Sequence, residues 1–286
     1  EHEESGESEE SGEGGESGES GESEDAETAV SFNSKPIIRA FLWTEERRRI
    51  AKDQIFGERL SDNVINDFCD RLQKAAPFEI DGLCAMQALT SDPSSVVKHI
   101  SGKRMAVQIL HDSCRLHYVV VLYHPQKPDA VVVFDTLFQE ENPLLTLTPL
   151  APQLSALFSH LFLSGRVPVQ IALGLEQQHD AWSCGYRSLG ILIDLLCRRS
   201  PWLSSYSVKR IYSLLVFVLA SDEPVNFAVV GNARISKSRL APEDFNFSPT
   251  WHIDAGRVVE KTAKSSLSVV PFSPLSNSPA GKSLIE

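Results

Sequence analysis

The sequence predicts one globular domain of mixed helices and strands, set between two polar tails, and three stretches predict it. Leu116–Tyr123 and Ala130–Thr136 are rich in β-branched and aromatic residues, and the prolines and Asp of the link between them, 124–129, mark a turn. The pair therefore reads as a β-hairpin at the centre of the domain. In Glu176–Leu196, polar residues lead up to Cys184-Gly185, and Leu189, Ile191, Leu192, Ile193, Leu195 and Leu196 follow. That run is apolar nearly all round, which places a helix there inside the core. In Leu60–Leu72, Val64, Ile65, Phe68 and Leu72 recur at helical spacing behind Ser61 or Asp62 as a cap.

The remaining elements fall into place around these. Trp43–Ile50 reads as a helix with Thr44 at its N-cap. Met105–Leu110 is a short strand, and Pro149–Phe162 an amphipathic helix carrying Leu154, Leu157, Phe158 and Leu161 on one side. Val167–Leu173 is a further strand, whose Pro168 calls for the first residues of a strand or for an edge. Tyr206–Ala220 is a second apolar helix. The predicted division is an acidic Glu/Ser/Gly disordered tail over 1–34, the folded domain over 35–240, and a largely disordered Ser/Pro-rich tail over 241–286.

Of the 286 residues, 42% are hydrophobic, enough for a single core of ordinary size. The formal charge of −11 is a property of the tail: residues 1–28 hold 13 acidic side chains and no Lys or Arg, leaving 25 acidic against 27 basic elsewhere. The folded part carries no dense basic stripe, so nucleic acid is not an expected partner. The five cysteines, Cys69, Cys84, Cys114, Cys184 and Cys197, form no C-x-x-C and no framework spacing. They read as reduced thiols of an intracellular protein, in the nucleus or cytoplasm. The longest apolar run, Leu214–Ala220, is far short of the ~20 residues of a membrane span. No signal peptide is visible, and a chain without an initial Met reads as a fragment.

Cys184 is a candidate nucleophile. At a helix N-terminus the unpaired N–H groups and the dipole favour an anion, and cysteine pKa values fall there. Gly185 has no side chain to obstruct a substrate carbonyl. A small cysteine packed at the start of a core helix would look the same from this stretch alone. A nucleophilic thiol, however, also needs a base within reach and a group to hold that base. The central hairpin offers both: His117 begins one strand, Asp135 ends the other, and antiparallel pairing brings those ends together. The second donor for an oxyanion, beside the Cys184 backbone N–H, is the side-chain amide of Gln178, six residues earlier.

The order His117, Asp135, Gln178, Cys184, with its spacings, resembles the ubiquitin-like-protein-specific cysteine proteases, the SUMO-protease group related to the adenovirus protease. The resemblance rests on Arg59–Asn66, His117-Tyr118, Phe134–Leu137, Glu176-Gln177-Gln178 and Ser183-Cys184-Gly185, and spans roughly residues 40 to 225. It implies an α+β, papain-like fold of the adenain type: a central mixed sheet flanked by helices, His and Asp on neighbouring strands, and Cys at a helix N-terminus. It also implies hydrolysis after the C-terminal Gly-Gly of a modifier, SUMO first, in a precursor or a conjugate, by a monomer without metal or organic cofactor. Arg59 and Tyr118 stand where that group's SUMO proteases have tryptophans covering the Gly-Gly tail, and with Asp62 they are the candidate substrate-binding residues. Ser183 replaces an acidic residue before the nucleophile.

Other readings remain open at this level. The chain could cut ubiquitin, another modifier, or the polyprotein of a virus or mobile element, or it could hold a modifier without cutting it. His111, Cys114 and His117 recur at three-residue intervals, which suits metal ligands on a helix face, but the stretch crosses a loop into a strand and no fourth ligand is evident.

Overall fold

A computed structural model of the chain describes residues 55–86, 100–221, 224–239 and 246–261, without the side chains of 84–86, 260 and 261. The expected Trp43–Ile50 helix, the acidic tail and the Ser/Pro-rich residues 262–286 lie outside the described residues.

The elements run α1 (Asp62–Ala75), β1 (Asp81–Met86), β2 (Ala106–Asp112), β3 (His117–His124), β4 (Lys127–Phe134), α2 (Leu144–Phe158), β5 (Val167–Ile171), α3 (Cys184–Leu196), β6 (Ser204–Tyr206), α4 (Val208–Ala220), α5 (Phe227–Asn232), β7 (Ser236–Ser238), β8 (Trp251–Asp254) and β9 (Arg257–Lys261). A mixed seven-stranded sheet in the order β1-β2-β3-β4-β5-β8-β9 carries the fold, and β6 pairs with β7 separately. Within the large sheet, β1–β2 and β4–β5 are parallel and the other pairs antiparallel. This is the α+β architecture expected.

Both faces of the sheet are covered, which explains why β3 is apolar without alternation. Val119 and Val121 face α2 with Leu147, Leu150, Leu154 and Phe158. Tyr118, Val120 and Leu122 face the opposite layer, where Phe68 and Leu72 of α1 meet Leu189, Ile193 and Leu196 of α3 and Leu215 of α4. Every residue of α3 is buried. Ser61 caps α1 by accepting the Val64 N–H at 3.3 Å.

Three boundaries differ from expectation. The β3–β4 turn is tighter than six residues: His124 pairs with Lys127, and a register shift absorbs the following Pro128. Helix α2 begins at Leu144, so Pro149 and Pro152 lie inside it. The prolines leave the carbonyls of Leu145 and Thr148 without helix donors, but both residues are exposed and water can serve them. Pro168 falls in the first residues of a strand, as expected: it is the second residue of β5, ahead of the β4 ladder that starts at Val169, and β5 is an interior strand. Finally, the folded domain does not stop at 240. Strands β8 and β9 extend the large sheet from β5, and Ile253 is fully buried against the α2 core. Too few of their positions face the core for a period-two pattern to show.

Among the described residues no helix is long and apolar enough to cross a membrane.

Candidate active site

His117 opens β3, and Asp135 follows the last residue of β4. Because β3 and β4 are antiparallel neighbours, both side chains stand at the same end of the sheet. His117 Nε2 lies 2.8 Å from Asp135 Oδ1. The two side chains are 1% and 0% exposed. A carboxylate at Nε2 fixes the tautomer with the proton there and leaves the Nδ1 lone pair free. Nδ1 is buried and makes no hydrogen bond among the described residues. Cys184, 2% exposed at the first position of α3, interacts with the His117 imidazole.

Each of the three groups carries the electrostatic mark of the others. Burial opposes the charged form of His117, but the hydrogen bond to Asp135 and the interaction with Cys184 raise its pKa above the ordinary value. Burial likewise opposes the Cys184 thiolate, yet His117 and the backbone amides of Tyr118 and Gly185 bring that pKa below the ordinary value. Burial opposes the Asp135 charge as well. His117, Arg115 and Thr146 outweigh it and hold the carboxyl well below the usual carboxylate range.

Asp135 is saturated with donors. Besides His117, its Oδ1 accepts the Leu137 N–H at 2.8 Å, and its Oδ2 accepts Thr146 Oγ1–H at 2.6 Å and Arg115 Nη2–H at 2.9 Å. Sequence reasoning missed both Arg115 and Thr146. A charged residue in a hairpin turn and a threonine at a helix start are ordinarily solvent-facing, so nothing in their spacing marks them.

Gln178 lies beside this group. Its N–H donates to the Thr136 carbonyl at 2.8 Å, and its Oε1 accepts Thr136 Oγ1–H at 3.4 Å. Its Nε2 donates to the Asp180 carbonyl at 2.6 Å and, at the longer distance of 3.4 Å, to Asp180 Oδ1. Gln177 turns away, with its amide on the Leu175 carbonyl at 3.3 Å.

Asp180 shapes the strap into α3, and it too escaped sequence reasoning. Its carboxylate accepts the N–H groups of Trp182 at 3.0 Å and Ser183 at 2.6 Å, and the Ser183 hydroxyl at 2.7 Å. Burial raises its pKa, but these donors outweigh it and lower the value. Glu176 anchors the start of the strap, accepting from Arg187 at 2.8 Å, Ser205 at 2.6 Å and the Tyr206 N–H at 2.8 Å.

The candidate substrate-binding residues lie on the α1–α3 side. Arg59 is exposed and donates through Nε to the Ala181 carbonyl at 2.8 Å. Asp62 is half-buried in the first turn of α1. Tyr118 is 5% exposed, its ring 4.9 Å from that of His111, its partner across the β2–β3 ladder. Trp182, not anticipated, packs edge-on against Phe56 and Tyr186 at 5.5 and 5.7 Å. Among the described residues, no group of three or more His, Cys, Asp or Glu side chains is arranged to hold a metal ion. The only role of Gly185 read from the sequence, access for a carbonyl, is incomplete: a Cβ there would stand 2.8 Å from Leu60 Cβ, so close packing also requires glycine.

The fold and the site together define an α+β domain with a buried His–Asp pair beside a cysteine at a helix N-terminus. No protein-family model and no curated protein matches the chain. Among solved structures it is similar to the SUMO protease Ulp1 with its catalytic cysteine oxidised to a sulfinic acid, at 11% identity and a TM-score of 0.43, over 71% of this chain and 98% of that one. It is similar also to the C-terminal Ulp1 protease domain in complex with Smt3, the yeast ortholog of SUMO, at 12% identity and a TM-score of 0.43, over 66% and 93% of the two chains.

Proposed function

We infer that the chain is a cysteine protease or isopeptidase that hydrolyses the bond after the C-terminal Gly-Gly of a ubiquitin-like modifier, SUMO or a close relative. The observation that carries the chemistry is the His117–Asp135 pair at 2.8 Å, which leaves the His117 Nδ1 unbonded, with Cys184 at the start of α3 interacting with the same imidazole. The motifs around Leu60, His117, Asp135, Gln178 and Cys184 support the modifier as substrate.

The reaction follows from the groups present. His117 Nδ1 takes the thiol proton, Asp135 stabilises the imidazolium, and the thiolate attacks the carbonyl carbon of the terminal Gly. The oxyanion lies against the Cys184 N–H and the Gln178 amide. His117 then gives its proton to the departing lysine or peptide amine, leaving a thioester on Cys184. A water molecule deprotonated by His117 cleaves the thioester and releases the modifier carboxylate. Arg59, Asp62 and Tyr118 bind the incoming tail.

A panel of modifiers with an electrophile at the C-terminus tests this. The SUMO probe is expected to label Cys184, and the Cys184→Ala variant to remain unlabelled. Labelling by ubiquitin alone would move the substrate class. A chain that binds SUMO but is labelled by no probe would be an inactive binding module.

A further inference from the structure

The turn between β2 and β3 holds a buried charge group that the reaction above does not use. Asp112, the last residue of β2, is 0% exposed, like Asp135. Its Oδ1 accepts the N–H groups of Cys114 at 2.9 Å and Arg115 at 3.1 Å, which folds the turn back over it. Its Oδ2 accepts Arg115 Nε–H at 2.5 Å. The same guanidinium donates Nη2–H to Asp135 Oδ2 at 2.9 Å. Arg115 is only 20% exposed. One cation therefore bridges two buried carboxylates: one holds the turn that delivers His117 five residues later, and the other holds the His117 ring.

We propose that Arg115 is the positioning residue of this site, bridging Asp112 to Asp135 so that Asp135 stays ionised with its Oδ1 aimed at His117. Two buried carboxylates without a cation would repel each other and draw protons. A protonated Asp135 no longer stabilises an imidazolium. The flat fork of arginine is what the geometry requires, since Nε and Nη2 point to separate acceptors; a lysine ammonium is a single point of charge. Thr146 donates to the same Oδ2 from α2, so Asp135 is held from the β2–β3 turn and from α2 together. The role concerns the reaction proposed above and rests on that reading.

The test uses the full chain and Arg115→Gln, Arg115→Lys and the pair Arg115→Gln with Asp112→Asn. The pair guards against misfolding, because it removes one buried carboxylate together with its cation while the Asn carbonyl still accepts the turn N–H groups. Two readouts are taken across pH: turnover of SUMO carrying a C-terminal aminomethylcoumarin, and alkylation of Cys184 by iodoacetamide followed by mass spectrometry. In Arg115→Gln and the double variant, kcat is expected to fall at least ~10-fold, short of the ~10²-fold that a 1 Å misplacement can cost, with KM within about twofold. The acid limb of kcat/KM should move up, because an Asp135 without the guanidinium supports the imidazolium, and through it the thiolate, less well. Arg115→Lys should fall between. A folded variant with parental kcat, or with lowered kcat and an unmoved acid limb, overturns the proposal. If the parent leaves the SUMO substrate intact but alkylates at Cys184, the substrate reading fails. The acid limb of alkylation then decides the Arg115 role by the same criterion.

Discussion

Gly185 and Leu60 are in contact across the start of α3: a methyl group on Gly185 would stand 2.8 Å from Leu60 Cβ and 3.1 Å from its Cδ1. Leu60 is 3% exposed and precedes the α1 cap, so it cannot simply swing into solvent. Gly185→Ala is therefore expected to destabilise the domain by about 1–3 kcal/mol, the usual range for overpacking, and to lower kcat by shifting Cys184. Leu60→Gly in the same chain, which removes the Cβ in contact, should restore part of the loss in kcat. Thermal melts and turnover of the single and double variants check this; additive losses would mean that the two residues are not coupled.

The mutual pKa shifts of His117 and Cys184 predict a reactive thiolate. With the histidine raised and the cysteine lowered, both shifts favour a thiolate–imidazolium pair. Iodoacetamide should alkylate Cys184 well below the ~8.5 of an ordinary thiol. In His117→Ala the alkylation limb should move upward, because the principal group lowering the thiol pKa is gone, and turnover should fall as far as in Cys184→Ala. An unmoved limb in His117→Ala would place the thiol's activation elsewhere.

Asp135→Asn has a pH signature in stability. The folded-state pKa of Asp135 is depressed, so its charge contributes stability that is complete above the unfolded value of about 3.9 and is lost as pH falls toward the folded value. The melting temperature of the Asn variant should therefore lie below that of the parent at pH 7, and the gap should narrow below about pH 3.9. A gap that stays constant down to pH 3 would show that the charge contributes nothing and that only hydrogen-bond geometry matters.

Gln178→Ala should retain modifier binding and lose ~10²–10³-fold in kcat, since the negative oxygen it serves exists only near the transition state. Gln177→Ala should remain active, because its amide is turned to the Leu175 carbonyl. Paired kcat and dissociation constants for both variants decide the point. Were Gln177→Ala the inactive one, the strap would have to be in a different register from the one the Thr136 hydrogen bonds set.

What the sequence determined by itself was the set of elements whose signal is periodic or local. Ser61 and the Ile65–Phe68–Leu72 stripe announce α1, the β-branched runs announce β3 and β4, and Leu189–Leu196 announces a helix buried all round. Hairpin geometry then sufficed to bring His117 and Asp135 to one end of the sheet, because antiparallel pairing is a local consequence of a short turn. The tertiary structure decided everything that depends on contacts between distant segments. It starts α2 five residues before the expected Pro149, since the buried Thr146, Leu147 and Leu150 outweigh two prolines on the water side. It brings Ile253 under α2 from beyond the expected domain boundary. It turns Arg115, Thr146 and Asp180 into supports of the site. Gly185 is glycine as much for Leu60 as for any substrate, and Asp135 stays ionised because Arg115 and Thr146, far apart in the chain, converge on one oxygen. Such packing and charge compensation leave no period in the sequence, because their physical cause is the proximity that folding creates.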